Sequence, residues 1–259
     1  MREPSPAGPL LLSRFGNGRA KLPMEIIAHR GASLDAPEHT RAAYDLALAQ
    51  GADMLEVDLR CTADGRLVAL HDATLWRTAG DGRAIEDVTL DDLRELPPGR
   101  RPLRLGGLLR DYATRSRLLL ELKDPAPPME RRVVAVLDRH AARGAVEIQS
   151  FQENGLRRVR RIAPDVPVSV LWLKAPRRPA AALDGLAELG AHAIGVHRRF
   201  VSAELVRAAS LRGIAVRAWT VNDPAEARAL AAIGVSGIIT DAPGRIAQAL
   251  ADLALPLAA

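Results

Sequence analysis

The chain is poor in cysteine and in aromatic residues. Cys61 is the only cysteine among 259 residues, so no intramolecular disulfide framework can form. That excludes the small disulfide-stapled secreted scaffolds and points to a reducing, cytoplasmic setting. Cys61 itself reads as a small residue at a strand end. Phe, Trp and Tyr together make up 3% of the sequence, so the core must be built from Leu, Val, Ile and Ala, which 48% hydrophobic content permits. The same scarcity argues against nucleic acid, because the arginines (Arg157, Arg158, Arg160, Arg161) are scattered over a helix surface without interleaved aromatics. The net charge of +5 is then read as attraction for an anionic substrate. No stretch approaches ~18 uninterrupted apolar residues, so stable membrane insertion is not expected. Residues 1–22 carry only a short apolar patch between Pro9 and Leu12, too short for a signal core. They read as a loose leader or strap ahead of a single domain over residues 23–259.

What is present is a repeat. A helix-like stretch ends in Gly, and a short apolar strand follows two or three residues later. It occurs at Gly51, Gly144, Gly190, Gly213 and Gly234. Gly just past a helix end supplies a left-handed cap. Before Gly234 the helix start is also marked, with Asp223 as N-cap, Pro224 at the first position and Glu226 at the third. Helix–Gly–strand repetition means βα alternation and a parallel sheet. Nine strand candidates are visible: EIIAH, MLEVD, LVALH, LLLEL, VEIQS, VSVLW, AIGVH, AVRAW and GIITD. The link from Asp58 to Val68 is too short for a parallel crossover, and Asp64-Gly65 is a hairpin signal. LVALH is therefore an antiparallel flap that returns His71 beside Asp58. Eight parallel strands remain, which predicts an α/β fold, a single (β/α)8 barrel with the hairpin flap after its second strand.

Polar residues gather at the C-terminal ends of these strands, the face where barrel enzymes keep their chemistry. Glu56 and Asp58 are two apart and share one face of a strand; Glu121 and Lys123 repeat the pattern in LLLELK. Three carboxylates and a lysine on neighbouring strands suit a hard divalent cation such as Mg2+ or Ca2+. The alternative is ion pairing with barrel-lining Arg or Lys. His29 and His71 end the first strand and the flap, and both fall beside the carboxylates, as an acid–base pair would. Arg30 offers a fork for phosphate and Lys123 a point charge. His39 falls just before the first helix. His140, His192 and His197 read as surface or packing residues, and VHRRF at 196–200 as a basic rim.

The segments AHRGASLDAPEHTRAAY, LEVDLRCTADGRLVALHD, LLLELKDP, IQSF, RAWTVNDP and GVSGIITDAP, in that order, resemble the motifs of the glycerophosphodiester phosphodiesterase family over residues 24–245. The ordered set carries the resemblance; no single piece does. It implies a barrel phosphodiesterase that releases an alcohol and glycerol 3-phosphate with the help of a divalent cation. By motif, His29 and His71 match the catalytic pair and Glu56, Asp58 and Glu121 the metal ligands. Arg30 and Lys123 match the phosphate contacts, and Trp219 a wall of the substrate pocket. The resemblance also implies that the glycerol hydroxyl of the substrate attacks first, through a cyclic phosphate. One departure stands out: the usual PENT reads Pro37-Glu38-His39-Thr40, with His in place of Asn. The short stretch between His71 and Glu121 leaves little room for an elaborate lid. Two other readings are a lysophospholipase D-like enzyme, which needs an apolar channel, and a non-catalytic barrel that binds phosphorylated metabolites.

Overall fold

The computed structural model of the chain describes residues 24–124, 128–176 and 178–254. The expected leader over 1–22 lies outside them, as do both ends of the expected domain. The described strands are β1 (Glu25–Ala28), β2 (Met54–Cys61), β3 (Leu67–Ala69), β4 (Arg117–Leu122), β5 (Val146–Ser150), β6 (Val168–Trp172), β7 (Ala193–His197), β8 (Ala215–Trp219) and β9 (Gly237–Thr240). The helices are α1 (Arg41–Ala49), α2 (Trp76–Ala79), α3 (Leu90–Glu95), α4 (Leu105–Tyr112), α5 (Met129–Arg139), α6 (Glu153–Ile162), α7 (Pro179–Leu189), α8 (Ala203–Ser210), α9 (Pro224–Ala232) and α10 (Pro243–Ala254).

β1 pairs in parallel with both β2 and β9, and β2 continues through β4 to β8. Eight parallel strands thus close into a barrel; one helix follows each, except that α2, α3 and α4 all lie between the flap and β4. β3 pairs antiparallel with β2, Leu59 opposite Ala69 and Cys61 opposite Leu67, as the short link requires. The turn is closed by Gly65 N–H on the Thr62 carbonyl at 2.8 Å, and Gly65 takes a φ of 76° that a side chain would resist.

Strand alternation sorts the side chains. Leu55, Val57 and Leu59 point outward into the main core shared with the helices. The opposite parity points inward, where Ile27, Met54, Leu119 and Ile239 form a small apolar layer across the barrel axis. Below that layer the barrel is plugged by charge. Arg217 holds Glu147 through two bonds of 2.5 and 3.0 Å and reaches Glu25 at 3.1 Å; Glu25 also pairs with Arg117. Above it lie the strand ends that carry Glu56, Asp58 and Glu121.

One expectation needs correction, and one residue has a role the sequence did not show. Gly144 is not a left-handed cap. Beyond α5 the chain reverses earlier, at Ala141 with φ 50°, where Ala142 N–H bonds back to Leu137 O at 2.9 Å. Gly144 instead sits in a short 3-10 turn, Arg143–Ala145. His192, expected at the surface or in packing, joins the charged plug, its Nε2 3.1 Å from Glu147. The stretch after the flap is compact but not bare. Leu75, Ala79, Ile85, Val88, Leu93 and Leu96 fold over Val68 and Leu70 as a small core of their own.

Candidate active site

The first site loop runs from β1 to α1 and is held in a strained shape. Arg30 and His39 both take left-handed backbone, φ 60° and 55°. Such a conformation costs about 1–3 kcal/mol for a non-glycine residue and persists where its surroundings enforce it. Here His39 N–H bonds to Arg30 O at 3.0 Å, closing the loop. Arg30 N–H reaches Glu56 Oε2 at 3.1 Å. Among non-glycine residues, Asn and His are both enriched at positive φ. That is a physical reason why His39 can stand where the resembled motif has Asn.

His39 is buried, and its ring spans two groups. Nδ1 lies 2.7 Å from the Tyr44 hydroxyl and Nε2 3.0 Å from Asp58 Oδ2. Burial pushes the imidazole pKa down, against the pull of Asp58, and pushes the Tyr44 hydroxyl well up. Both are neutral at pH 7, so Tyr44 donates to Nδ1 and Nε2–H donates to Asp58. His39 thus reaches a residue of the carboxylate cluster directly.

Glu56, Asp58 and Glu121 come together as the strand register requires, with Asp58 opposite Glu121 on neighbouring strands. They offer oxygens that all lie within 4.8 Å of one another, and all three residues are buried. Lys123 Nζ sits between Glu121 Oε1 at 2.8 Å and Asp58 Oδ1 at 3.1 Å. Arg30 Nε lies 2.9 Å from Asp58 Oδ2, close enough for an ion pair but not aligned as a hydrogen bond. Ion pairing and a cation site are therefore both visible, and the charges decide between them. Three carboxylates face two permanent cations. Burial and the neighbouring Asp58 and Glu121 push Glu56 well above the usual carboxylate range. Burial and Asp58 raise Glu121 to about 7. Asp58 goes the other way: burial would raise it, but the His39 bond and the charges of Lys123 and Arg30 hold it low. Glu56 Oε1 is buried with no hydrogen-bond partner. An oxygen-rich cluster with a surplus negative charge and an unpartnered buried oxygen fits a hard divalent cation.

Each histidine is pinned by its own carboxylate. His29 Nδ1 lies 2.6 Å from Asp241 Oδ1. Asp241 is itself fixed by Ser33 Oγ at 3.0 Å and Asn222 Nδ2 at 2.7 Å. Burial would raise the Asp241 carboxyl, but the bonds from His29, Asn222 and Ser33 hold it at about 2. His71 Nδ1 lies 2.7 Å from Asp72 Oδ1, and Arg77 Nε holds the other oxygen of Asp72 at 2.6 Å. The Arg77 bond, then the His71 bond, bring Asp72 to about 2. His71 itself is lowered, chiefly by burial. A carboxylate on Nδ1 fixes the tautomer and leaves Nε2 to exchange protons. No protein group among the described residues bonds Nε2 of either ring, and both rings line the cavity.

That cavity holds about 270 Å³. One side is polar, with His29, Arg30, Glu56, His71, Glu121 and Lys123. The other is apolar and aromatic, with Phe151, Leu171, Trp219 and Ile239. Of the eight residues singled out from the sequence, seven line it. Asp58 lies behind them, fully buried. Trp219 is flanked edge-on by Phe151 at 5.6 Å and by His197 at 5.2 Å between ring centres. His197, expected at the surface or in packing, thus packs against Trp219. In the basic rim, Arg198 is tied to Glu226 at 2.8 Å. Sequence reasoning gave no role to Asp241, Asn222, Ser33, Arg77 or Tyr44. Asp241 stood at a strand end among the polar cluster, and its position next to β1 across the barrel closure was the available signal.

The chain matches the model of the glycerophosphoryl diester phosphodiesterase family over residues 29–117 and 117–245. It is 31% identical over 244 residues to a glycerophosphodiester phosphodiesterase of Bacillus subtilis, covering 84% of this chain and 83% of that protein. A phosphodiesterase of Oleispira antarctica, solved with the product sn-glycerol-3-phosphate, superposes with a TM-score of 0.79 at 28% identity, covering 89% of this chain and 97% of that one. A glycerophosphodiester phosphodiesterase of Agrobacterium tumefaciens does so with a TM-score of 0.75 at 27% identity, covering 87% and 99%.

Proposed function

The chain belongs to the glycerophosphoryl diester phosphodiesterase family, and from that premise we propose that it hydrolyses glycerophosphodiesters to an alcohol and glycerol 3-phosphate, with His29 and His71 as acid and base. The observation that carries this reading is the pair of pinned imidazoles beside the carboxylate cluster, in one cavity. Glu56, Asp58 and Glu121 would hold the divalent cation, Mg2+ or Ca2+. Bound there, it would supply Lewis-acid charge to a phosphoryl oxygen. Lys123 has three ammonium donors and two carboxylate neighbours, so one donor is left for a phosphate oxygen. Arg30 adds charge from the opposite side of Asp58. Trp219 forms the apolar wall against the carbon skeleton.

One histidine Nε2 takes the proton of the glycerol hydroxyl as its oxygen bonds to phosphorus. The other gives a proton to the departing alkoxide. The cyclic phosphate so formed opens by the reverse exchange, with water in place of the alcohol. Asp241 and Asp72 keep each ring in the tautomer that leaves Nε2 free for its turn. A cytoplasmic setting goes with this reading, supported by the single unpaired Cys61. Among the described residues, no helix is long and apolar enough to cross a membrane.

The test is a panel of glycerophosphodiesters with glycerol 3-phosphate detection. His29→Ala and His71→Ala should fold and lose about 10²–10⁴-fold in turnover each. Near-wild-type rates from either variant would remove that residue from the mechanism. A lysophospholipase D-like activity has one observation in its favour. Phe151 and Leu173 stand on βα loops at the barrel mouth, 44% and 59% exposed, where an acyl chain could lie. Lysophospholipids in the same panel decide it, by yielding lysophosphatidic acid or nothing.

A further inference from the structure

We propose that a second cavity, formed by Arg77, Arg100 and Arg101 on the flap side of the active site, binds a phosphomonoester dianion and slows turnover by competing for Arg77. This cavity also holds about 270 Å³, the same as the active site, so it can take a ligand the size of the reaction's own phosphorylated product. Its wall carries three guanidinium groups and one carboxylate, Glu38. That carboxylate is already saturated. Arg77 grips it with both terminal nitrogens at 2.6 and 2.9 Å, and Arg30 adds a contact at 3.2 Å. Arg100 and Arg101 have no carboxylate partner among the described residues. Among the described residues their guanidinium groups bond only to main-chain oxygens, Arg100 to Ala79 O at 3.3 Å and Arg101 to Leu96 O at 2.6 Å. Thr78 also lines the wall, and its hydroxyl oxygen is buried without a hydrogen-bond partner. Uncompensated guanidinium forks with a spare hydroxyl recognise the oxygens of a phosphate.

Resting on the role proposed above for His71, the site is wired to the chemistry through Arg77. The same guanidinium that grips Glu38 holds Asp72 at 2.6 Å, and Asp72 holds His71 at 2.7 Å. A dianion seated between three arginines competes with Glu38 and Asp72 for Arg77. As Arg77 turns to it, Asp72 loses its anchor, and His71 loses the partner that fixes its ring. Turnover should fall while substrate can still bind. A phosphate at the active site acts differently, because it excludes substrate and raises KM alone.

Inorganic phosphate and sn-glycerol 3-phosphate are the two probes. With wild type, each should give mixed inhibition, lowering kcat and raising KM. The double variant Arg100→Gln/Arg101→Gln should keep the basal rate and show competitive inhibition alone. Equilibrium dialysis with labelled phosphate should find one site fewer in that variant, and Lys123→Ala should retain the site the double variant loses. If inorganic phosphate suffices, the phosphate group is the ligand; if only glycerol 3-phosphate acts, the site senses product. Purely competitive inhibition of wild type by both probes would overturn the proposal. So would an equal fall in kcat, or an equal number of bound phosphates, in wild type and the double variant.

Discussion

Asp241→Asn is the sharpest test of how His29 is made ready. The carboxylate takes three hydrogen bonds, two at Oδ1 from His29 and Ser33 and one at Oδ2 from Asn222. Asn222 cannot turn over to help. Its Oδ1 already accepts from Thr240 Oγ1 at 3.0 Å and from Asp241 N–H at 2.9 Å. An asparagine at 241 therefore has two poor choices. With its oxygen toward His29, its amide meets the Asn222 amide, donor against donor. With its oxygen toward Asn222, its amide faces Nδ1, which must then accept, and the proton moves to Nε2. The second choice disables His29 as a base. In the serine-protease triad, the same change at the orienting aspartate costs about 10⁴ in kcat by the same tautomer error. Here we expect kcat/KM to fall about 10²–10⁴-fold, or roughly 3–5 kcal/mol of transition-state stabilisation. Stability should change far less, by about 1–3 kcal/mol for one mismatched polar contact. Metal affinity should not change, because Asp241 makes no contact with Glu56, Asp58 or Glu121 among the hydrogen bonds and ion pairs described. Steady-state kinetics, a melting curve and a metal titration read the three separately. Wild-type kcat/KM in Asp241→Asn would refute the tautomer argument, and a parallel loss of metal affinity would show that the damage had spread to the cluster.

Other outcomes follow from the same geometry. Excess chelator should abolish turnover, and added Mg2+ or Ca2+ should restore it and raise Tm, the stabilisation being about 2.7 kcal/mol at a hundred times Kd; activity that survives chelation would exclude the cation. Glu121→Gln should raise the metal concentration needed for half-maximal activity, and an unchanged requirement would remove Glu121 from the ligand set. His39→Ala should lose about 1–3 kcal/mol by leaving Asp58 and Tyr44 short of a partner, whereas His39→Asn should lose less, since Asn tolerates left-handed backbone and can donate to Asp58; equal losses on denaturation would rule out that account. Glu147 is held well below its ordinary 4.5: burial opposes this, and the Arg217 and His192 charges and bonds overcome it. Its contribution to stability is therefore complete above pH 4.5 and fades as pH falls below, so Glu147→Gln should flatten the acid limb of a stability–pH curve, and an unaltered limb would count against the pairing.

The barrel and its catalytic face were legible because their signals are local. Two-residue alternation places Glu56 with Asp58 and Glu121 with Lys123 without any knowledge of the fold. Asp64-Gly65 forces the flap and, with it, the return of His71. What escaped is what depends on closure. Asp241 meets His29 only because β9 pairs with β1, across 212 residues of chain. Arg77 meets Glu38 because the small core over the flap lays α2 beside the first loop. No periodicity announces either contact. The strained loop was half legible: a His where the resembled motif has Asn is visible as a departure, but its link to Asp58 needs coordinates.

The two ends of the barrel show why position in a strand does not by itself mark a functional carboxylate. Glu147 and Glu25 at the bottom have the same inward parity as Glu56, Asp58 and Glu121 at the top. At the bottom two carboxylates meet Arg117 and Arg217, and Glu147 is driven to its charged form. There each carboxylate faces an arginine, Glu25 with Arg117 and Arg217 and Glu147 with Arg217. At the top three carboxylates meet Arg30 and Lys123, two buried carboxylate oxygens, one on Glu56 and one on Asp58, lack a hydrogen-bond partner, and two of the three groups are pushed toward neutrality. A buried charge short of its partner costs several kcal/mol; protonation of Glu56 or Glu121 relieves that cost in the free chain, and a bound cation would relieve it with both groups charged. The imbalance opens onto the cavity that both pinned histidines line, which is where a cation and a phosphate would supply the missing charges of each sign.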